Sequence, residues 1–144
     1  MKLEVPARKS LLHTMTMPIR WGDMDCMGHV NNTVYFRYME TARIQMLEGA
    51  GFTTQPSGEG FVIANIFCNF IRQLEYPGEV LIKSYVGTIG RSSFDVFHEM
   101  HRTDDEQTVY ASGGETIVWL DFPKQKSMPM PDALRQWLTA TPLE

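Results

Sequence analysis

Two carboxylates, Asp23 and Asp25, stand two residues apart, and a set of turn-forming polar residues follows: Gly28, His29, Asn31 and Asn32. Beyond Asn32 the residues favour a helix to about Glu48. An acid therefore sits a few positions before a helix start. The opening turn of a helix carries N–H groups with no intrahelical acceptor, together with the positive end of the helix dipole. Such amides can hold a carbonyl oxygen that gains negative charge, as in an oxyanion hole. A neighbouring carboxylate can attack that carbonyl or activate water against it. The arrangement thus suits acyl chemistry, with an acid of the turn as the reacting group and the helix start as the oxygen site.

Each of these residues also has a plainer use. Asp25 could be a turn or capping residue. Asp23 fits a role in holding the turn through bonds to the backbone. If the two acids lie on extended backbone, alternation sends them to opposite faces, which argues against a paired-carboxylate mechanism. His29, four residues after Asp25, could move a proton near neutral pH or simply pack at a pocket edge. Asn31 could cap the helix, orient Asp25 or bind the lytic water, and Gly28 lets the backbone turn where a side chain would meet substrate. Cys26 and His29 make half of a zinc pattern whose other half is missing, and His98 and His101 lie far along the chain, so no metal is expected. Glu40 and Arg43 read as an ordinary i, i+3 ion pair, unless a tightly covered helix sends one of them to a partner subunit.

The elements that must position these groups follow from periodicity. Residues 1–12 carry little pattern and read as a loosely held arm, and 14–21 as a first strand whose Pro18 suggests an edge or a bulge. The turn occupies 22–31. In the helix, Tyr35, Tyr38, Met39, Ala42 and Met46 fall on one face, and Val34, Phe36, Ile44 and Leu47 widen it. Gly49 and Gly51 supply the stop. Residues 53–60 form a loop. Residues 61–71 are almost continuously apolar, as in a strand buried on both faces. Strands at 80–89, 94–101 and 108–122 follow, the last interrupted by Gly113-Gly114, a bulge or a close backbone approach. Residues 132–140 predict a short helix that buries Leu134, Trp137 and Leu138. Adjacent strands joined by short turns argue for an antiparallel sheet, and the apolar helix needs that sheet around it. The class is α+β, and one domain over 1–144 is expected from the length.

Composition removes other functions. The net charge is −4 with no basic run, so no nucleic-acid partner is expected. No run has the length and apolarity of a membrane span, and the charged N-terminus is unlike a signal peptide. Two cysteines do not make a disulfide framework. These features point to a cytoplasmic protein with free thiols.

Written as Asp23-x-Asp25-x-x-Gly28-His29-Val30-Asn31-Asn32-x-x-Tyr35-x-x-Tyr38-x-Glu40-x-Ala42-Arg43, the central stretch resembles the hotdog-fold thioesterases, specifically the 4-hydroxybenzoyl-CoA thioesterase-like family of acyl-CoA hydrolases. The resemblance implies a hotdog fold and an acyl-CoA substrate. It makes Asp25 the catalytic carboxylate and the Asn32 backbone N–H the group that polarises the thioester carbonyl. It also implies a homodimer or homotetramer with active sites between subunits, and no cofactor. Catalytic expectations therefore fall on Asp25, Asn32 and His29, and substrate-binding ones on Gly28, Asn31, Tyr35, Arg91 and Ser92. Arg91 is the candidate for a coenzyme A phosphate, with Arg72 and Lys83 behind it. The rival readings are a hotdog enoyl hydratase or dehydratase, which would use a His and acid pair without hydrolysis, and a non-catalytic acyl-CoA-binding protein, which would not need Asp25.

Overall fold

A computed structural model describes residues 3–140 of the chain. Strand β1 (Ser10–Pro18) leads through a 3-10 turn (Trp21–Asp23) into helix α1 (Asn32–Gly49). Strands β2 (Glu59–Phe70), β3 (Glu79–Ile89), β4 (Ser93–Arg102) and β5 (Ala111–Asp121) follow, then a short β6 (Lys126–Ser127) and helix α2 (Asp132–Thr139). The main strands form one antiparallel sheet in the order β1-β3-β4-β5-β2, and β6 pairs with β5. The sheet packs one face on α1, the α+β hotdog arrangement.

The helix face read from periodicity is the one that packs. Tyr35, Tyr38, Met39, Ala42 and Met46 are all buried. All but Met46 meet inward residues of the sheet such as Val80, Ile82 and Met100. At the other end Leu134 and Leu138 of α2 close over Met46, Leu47, Phe94 and Trp119. Asn31 caps α1 by accepting the Thr33 N–H, and the chain leaves the helix through Gly51 at φ +92. Among the described residues no helix is long and apolar enough to cross a membrane.

Several expectations are corrected. The first strand begins at Ser10 and ends at Pro18, so the arm is shorter than expected. Its residues 1–2 lie outside the described residues. The rest is tied down: Lys9 Nζ stands 4.7 Å over the Tyr85 ring and 3.6 Å from Glu99. The run 61–71 is not buried on both faces. It belongs to β2, the outermost strand of the sheet opposite β1, and Ile66 and Phe70 are exposed. A continuous apolar run reads alike whether both sides are covered or one edge is open. Gly113-Gly114 is no bulge, since both pair in unbroken register with Cys68 and Phe67; the register shift lies at Ile63/Asn65 on the neighbouring strand. The close approach is real: a Cβ on Gly113 would sit 2.4 Å from the Phe67 carbonyl oxygen and 3.1 Å from Met39 Sδ. Trp137 is only half-buried.

Candidate active site

The loop between the 3-10 turn and α1 is a set of local hydrogen bonds. Met24 and Val30 form an isolated antiparallel bridge. The Asp25 N–H donates to the His29 carbonyl at 2.9 Å, and the Gly28 N–H donates to the Asp25 carbonyl at 3.1 Å. Gly28 has φ +77, a conformation that side chains disfavour. This turn separates the two acids. Asp23 faces the fold, where its Oδ2 accepts from the Arg20 N–H at 2.9 Å and from the Tyr38 hydroxyl at 2.8 Å. Burial, and then the bond to Asp23, push the Tyr38 phenol pKa well above its ordinary value. Asp25 faces outward. Its Oδ1 accepts from the Met27 N–H at 2.9 Å, and its Oδ2 from Asn31 Nδ2 at 3.4 Å. Charge-assisted acceptance of this kind holds a carboxylate in one orientation.

The start of α1 can be counted amide by amide. The Asn31 N–H donates to the Asp23 carbonyl at 3.0 Å, and the Val34 N–H to the Asn31 carbonyl at 2.9 Å. The Thr33 N–H donates to Asn31 Oδ1 at 3.0 Å. Of the four N–H groups that a helix start leaves without intrahelical partners, only that of Asn32 finds no acceptor among the described residues. Asn32 is exposed, and it lines the same cleft as Asp25.

That cleft has a volume of about 750 Å³. Asp25, Met27, His29, Val30, Asn32 and Tyr35 form one side, and Phe70, Ile71, Arg72, Gln73, Glu75 and Tyr110 the other. The two sides are stitched together by the Val30 N–H to the Leu74 carbonyl at 2.8 Å and the Leu74 N–H to the Tyr35 hydroxyl at 3.2 Å. Burial raises the Tyr35 phenol pKa, against the opposing bond from Leu74, so Tyr35 is a neutral hydroxyl there. His29 Nε2 lies 3.1 Å from Glu75 Oε1. Arg102 braces the far wall: it pairs with Asp104 through Nε at 2.8 Å and Nη2 at 3.1 Å. It also donates to the carbonyls of Glu75 at 2.8 Å and Pro77 at 2.9 Å.

The structure thus brings together Asp25, His29, Asn32 and Tyr35 in one cleft, with Gly28 and Asn31 bonded directly to Asp25. It does not bring Arg91 or Ser92 to them. Those residues sit in the β3–β4 hairpin against α2, where the Met130 N–H donates to the Arg91 carbonyl. Ten strand steps along β3 from Glu79 to Ile89 span roughly 33 Å. Arg72, the weaker candidate, is in the cleft instead. Sequence reading missed the apolar wall of Phe70 and Ile71, and Gln73, Glu75 and Tyr110. The antiparallel pairing of 61–71 with 108–122 would have placed residues 70–73 beside Tyr110; nothing in the sequence joined that pair of strand ends to the Asp25 loop.

The geometry combines an outward carboxylate, one free helix-start amide and a cleft with an apolar wall, which is what cleavage of an activated acyl group requires. The comparisons agree. Residues 19–138 match the family model of the thioesterase-like superfamily. The PA2801 protein of Pseudomonas aeruginosa, assigned as a thioesterase, is similar at 38% identity and TM-score 0.83, over 87% of this chain and 96% of that one. The BH1999 gentisyl-coenzyme A thioesterase is similar at 26% identity and TM-score 0.78, over 88% of this chain and all of that one (100%). The chloroplastic acyl-acyl carrier protein thioesterase ATL3 of Arabidopsis thaliana is 24% identical over 88% of this chain and 67% of its own length. The chain belongs to the thioesterase-like superfamily and is a hotdog-fold thioester hydrolase.

Proposed function

We propose that the chain hydrolyses an acyl-CoA thioester to a carboxylic acid and free coenzyme A, with Asp25 as the reacting carboxylate. The observation that carries this reading is the pairing, in one cleft, of Asp25 with the one amide of the α1 start that has no acceptor among the described residues. The thioester carbonyl oxygen accepts from the Asn32 N–H. Asp25 then either adds to the carbonyl carbon, giving an anhydride that water opens, or takes a proton from a water that adds directly. In both routes a C–O bond forms, the C–S bond breaks and the sulfur leaves as thiolate. Asn31 holds Asp25 in line, Gly28 keeps the approach open and Tyr35 presents a hydroxyl to the cleft. His29, steadied by Glu75, passes a proton taken up from solvent to the departing thiolate.

The acyl group lies along Phe70 and Ile71. Arg72 is the basic group beside it, and Arg91 and Ser92 reach such a cleft only from another copy. The exposed apolar residues Trp21, Met27, Phe70, Ile71 and Tyr76, together with the open edge of β2, support a homo-oligomer, since an apolar strand edge invites pairing. We take the whole of 1–144 as one hotdog domain working in the cytoplasm.

The test is free-thiol release from a panel of acyl-CoA and acyl carrier protein thioesters. Asp25→Asn should lower kcat by about 10³-fold, within the usual reach of general acid–base or nucleophilic groups. Undiminished hydrolysis in that variant removes the assignment. Loss of enoyl absorbance without thiol release would mark a hydratase, and binding without turnover a sensor.

A further inference from the structure

A second polar constellation lies beneath α1, away from the cleft. Arg43 of the helix donates through Nη1 to Glu115 Oε2 of β5 at 2.8 Å. Glu115 Oε1 meets His98 Nε2 of β4 at 3.0 Å, and His98 Nδ1 meets Ser84 Oγ of β3 at 2.8 Å. Ser84 and His98 are direct cross-strand partners. All four residues are buried, with exposures of 0–6%. Glu115 accepts from both neighbours, so His98 donates through Nε2 and the chain has one direction. Ser84, His98 and Glu115 have the residue types of a hydrolytic triad, but they are sealed inside the core with no route for substrate.

Burying charges is costly even when they are paired, and apolar residues of similar size often serve stability as well or better. Arg43 Nε has no hydrogen-bond partner, which adds to that cost. The Tyr35 and Tyr38 hydroxyls bond to Leu74 and Asp23 nearer the helix start. Beside Arg43, the contact made by Met39, Ala42 and Met46 is apolar and without direction. Such a face tolerates small rotations and slips; the Arg43–Glu115 bond does not.

We infer that the Arg43–Glu115–His98–Ser84 chain is a positioning device that fixes the rotation and depth of α1 on the sheet, and thereby aims the Asn32 N–H into the cleft. This rests on the reading of that amide as the oxyanion donor. Arg43 is eleven residues after Asn32; at about 100° per residue this is roughly 20° beyond three full turns, so the two share a side of the helix. A 20° rotation at a Cα radius of about 2.3 Å moves the start of the helix by about 0.8 Å. Misplacement of about 1 Å at a reacting centre costs on the order of 10²-fold in rate.

The test is the double variant Arg43→Met/Glu115→Gln, which removes both charges and leaves an amide oxygen for His98. Folding is followed by circular dichroism and thermal midpoint, and kcat and KM by thiol release. A folded variant with kcat lowered 10- to 100-fold and KM within about threefold supports the inference, because a merely structural role would leave kcat intact once the fold is kept. A folded variant with wild-type kcat overturns it. Should the double variant not fold, the isosteric Glu115→Gln alone decides: a several-fold fall in kcat at constant KM supports the inference, and wild-type kcat overturns it. Asn32→Pro, which deletes the amide itself, separates the two readings. Wild-type kcat there removes the amide's role and this inference together. A crippled Asn32→Pro beside a fully active network variant removes this inference alone.

Discussion

The proposed oxyanion donor is a backbone group, so no ordinary side-chain change deletes it. Proline at position 32 does. Asn32 is the first residue of α1, the one helical position where proline is favoured because its missing N–H had no intrahelical acceptor. The residue before a proline must be extended, and Asn31 already has φ −62 and ψ 142. Asn32→Pro therefore puts a ring carbon where the N–H hydrogen stood, drops an exposed side chain, and leaves the helix, the Asn31 cap and Asp25 in place. Losing one oxyanion donor costs about 10²–10³ in kcat, or roughly 2.7–4 kcal/mol of transition-state stabilisation. KM should hardly move, because the bond strengthens only as the carbonyl oxygen becomes charged. Stability should hold or rise by about 0.4–1 kcal/mol through a stiffer unfolded chain. With an unfolding entropy of about 2.1 cal/mol/K per residue, or roughly 0.3 kcal/mol/K for this length, that is a gain of about 1–3 °C. The assay is thiol release by Asn32→Pro and by Asn32→Ala, which keeps the amide and should stay within a few-fold of wild type. Equal kcat for proline and wild type, in a protein of unchanged thermal midpoint, would refute the reasoning.

Asn31→Ala removes a helix cap and the Asp25 bond together; it should cost about 1 kcal/mol, seen as a melting point lower by about 3 °C, with kcat reduced as well. Gly113→Ala sets a methyl group against the Phe67 carbonyl, which cannot rotate away, and should destabilise by about 2 kcal/mol or more in chemical denaturation; an unchanged midpoint would mean that β2 yields easily. Cys26 is exposed, whereas burial pushes the Cys68 thiol up to about 12, so that near pH 8 only about one in 10⁴ of Cys68 is thiolate. Native protein should accordingly release one equivalent of a thiol reagent's chromophore quickly and a second only on unfolding. Arg102→Ala frees the Glu75 and Pro77 carbonyls and should raise KM through a looser cleft wall. The Arg102 hydrogen bond holds the Asp104 pKa below its ordinary value, so the bond's contribution is full above the usual carboxylate range and is lost as pH falls through the lowered value. The stability gap between wild type and Arg102→Ala should narrow in acid, as followed by pH-dependent denaturation.

The helix and its loop were readable because each rests on local rules. Five residues at helical spacing name the buried face of α1, and an asparagine before an apolar run names its cap. Asp23 and Asp25 do take different directions, but not by strand alternation, since Asp23 closes the 3-10 turn rather than lying on extended backbone. What failed was set by neighbours far along the chain. An apolar run such as 61–71 carries no mark of whether another strand lies beyond it, and β2 turned out to be outermost. Arg43 does stand 4.0 Å from Glu40, as the i, i+3 spacing indicates, but its shorter contact, Glu115 at 2.8 Å, lies 72 positions away and had no local signal. Arg91 was placed by resemblance alone, and the length of β3 keeps it from the cleft of its own chain.

Strand β2 has two duties at once. Its free side is the seam along which another molecule could join, and its final residue, Phe70, opens the wall that faces the carboxylate. A molecule that zipped onto that seam would also set the spacing of the entrance, and quaternary contact and catalytic competence would then share one hinge point. Specific activity measured across a wide dilution series would then report on assembly as directly as any sizing column.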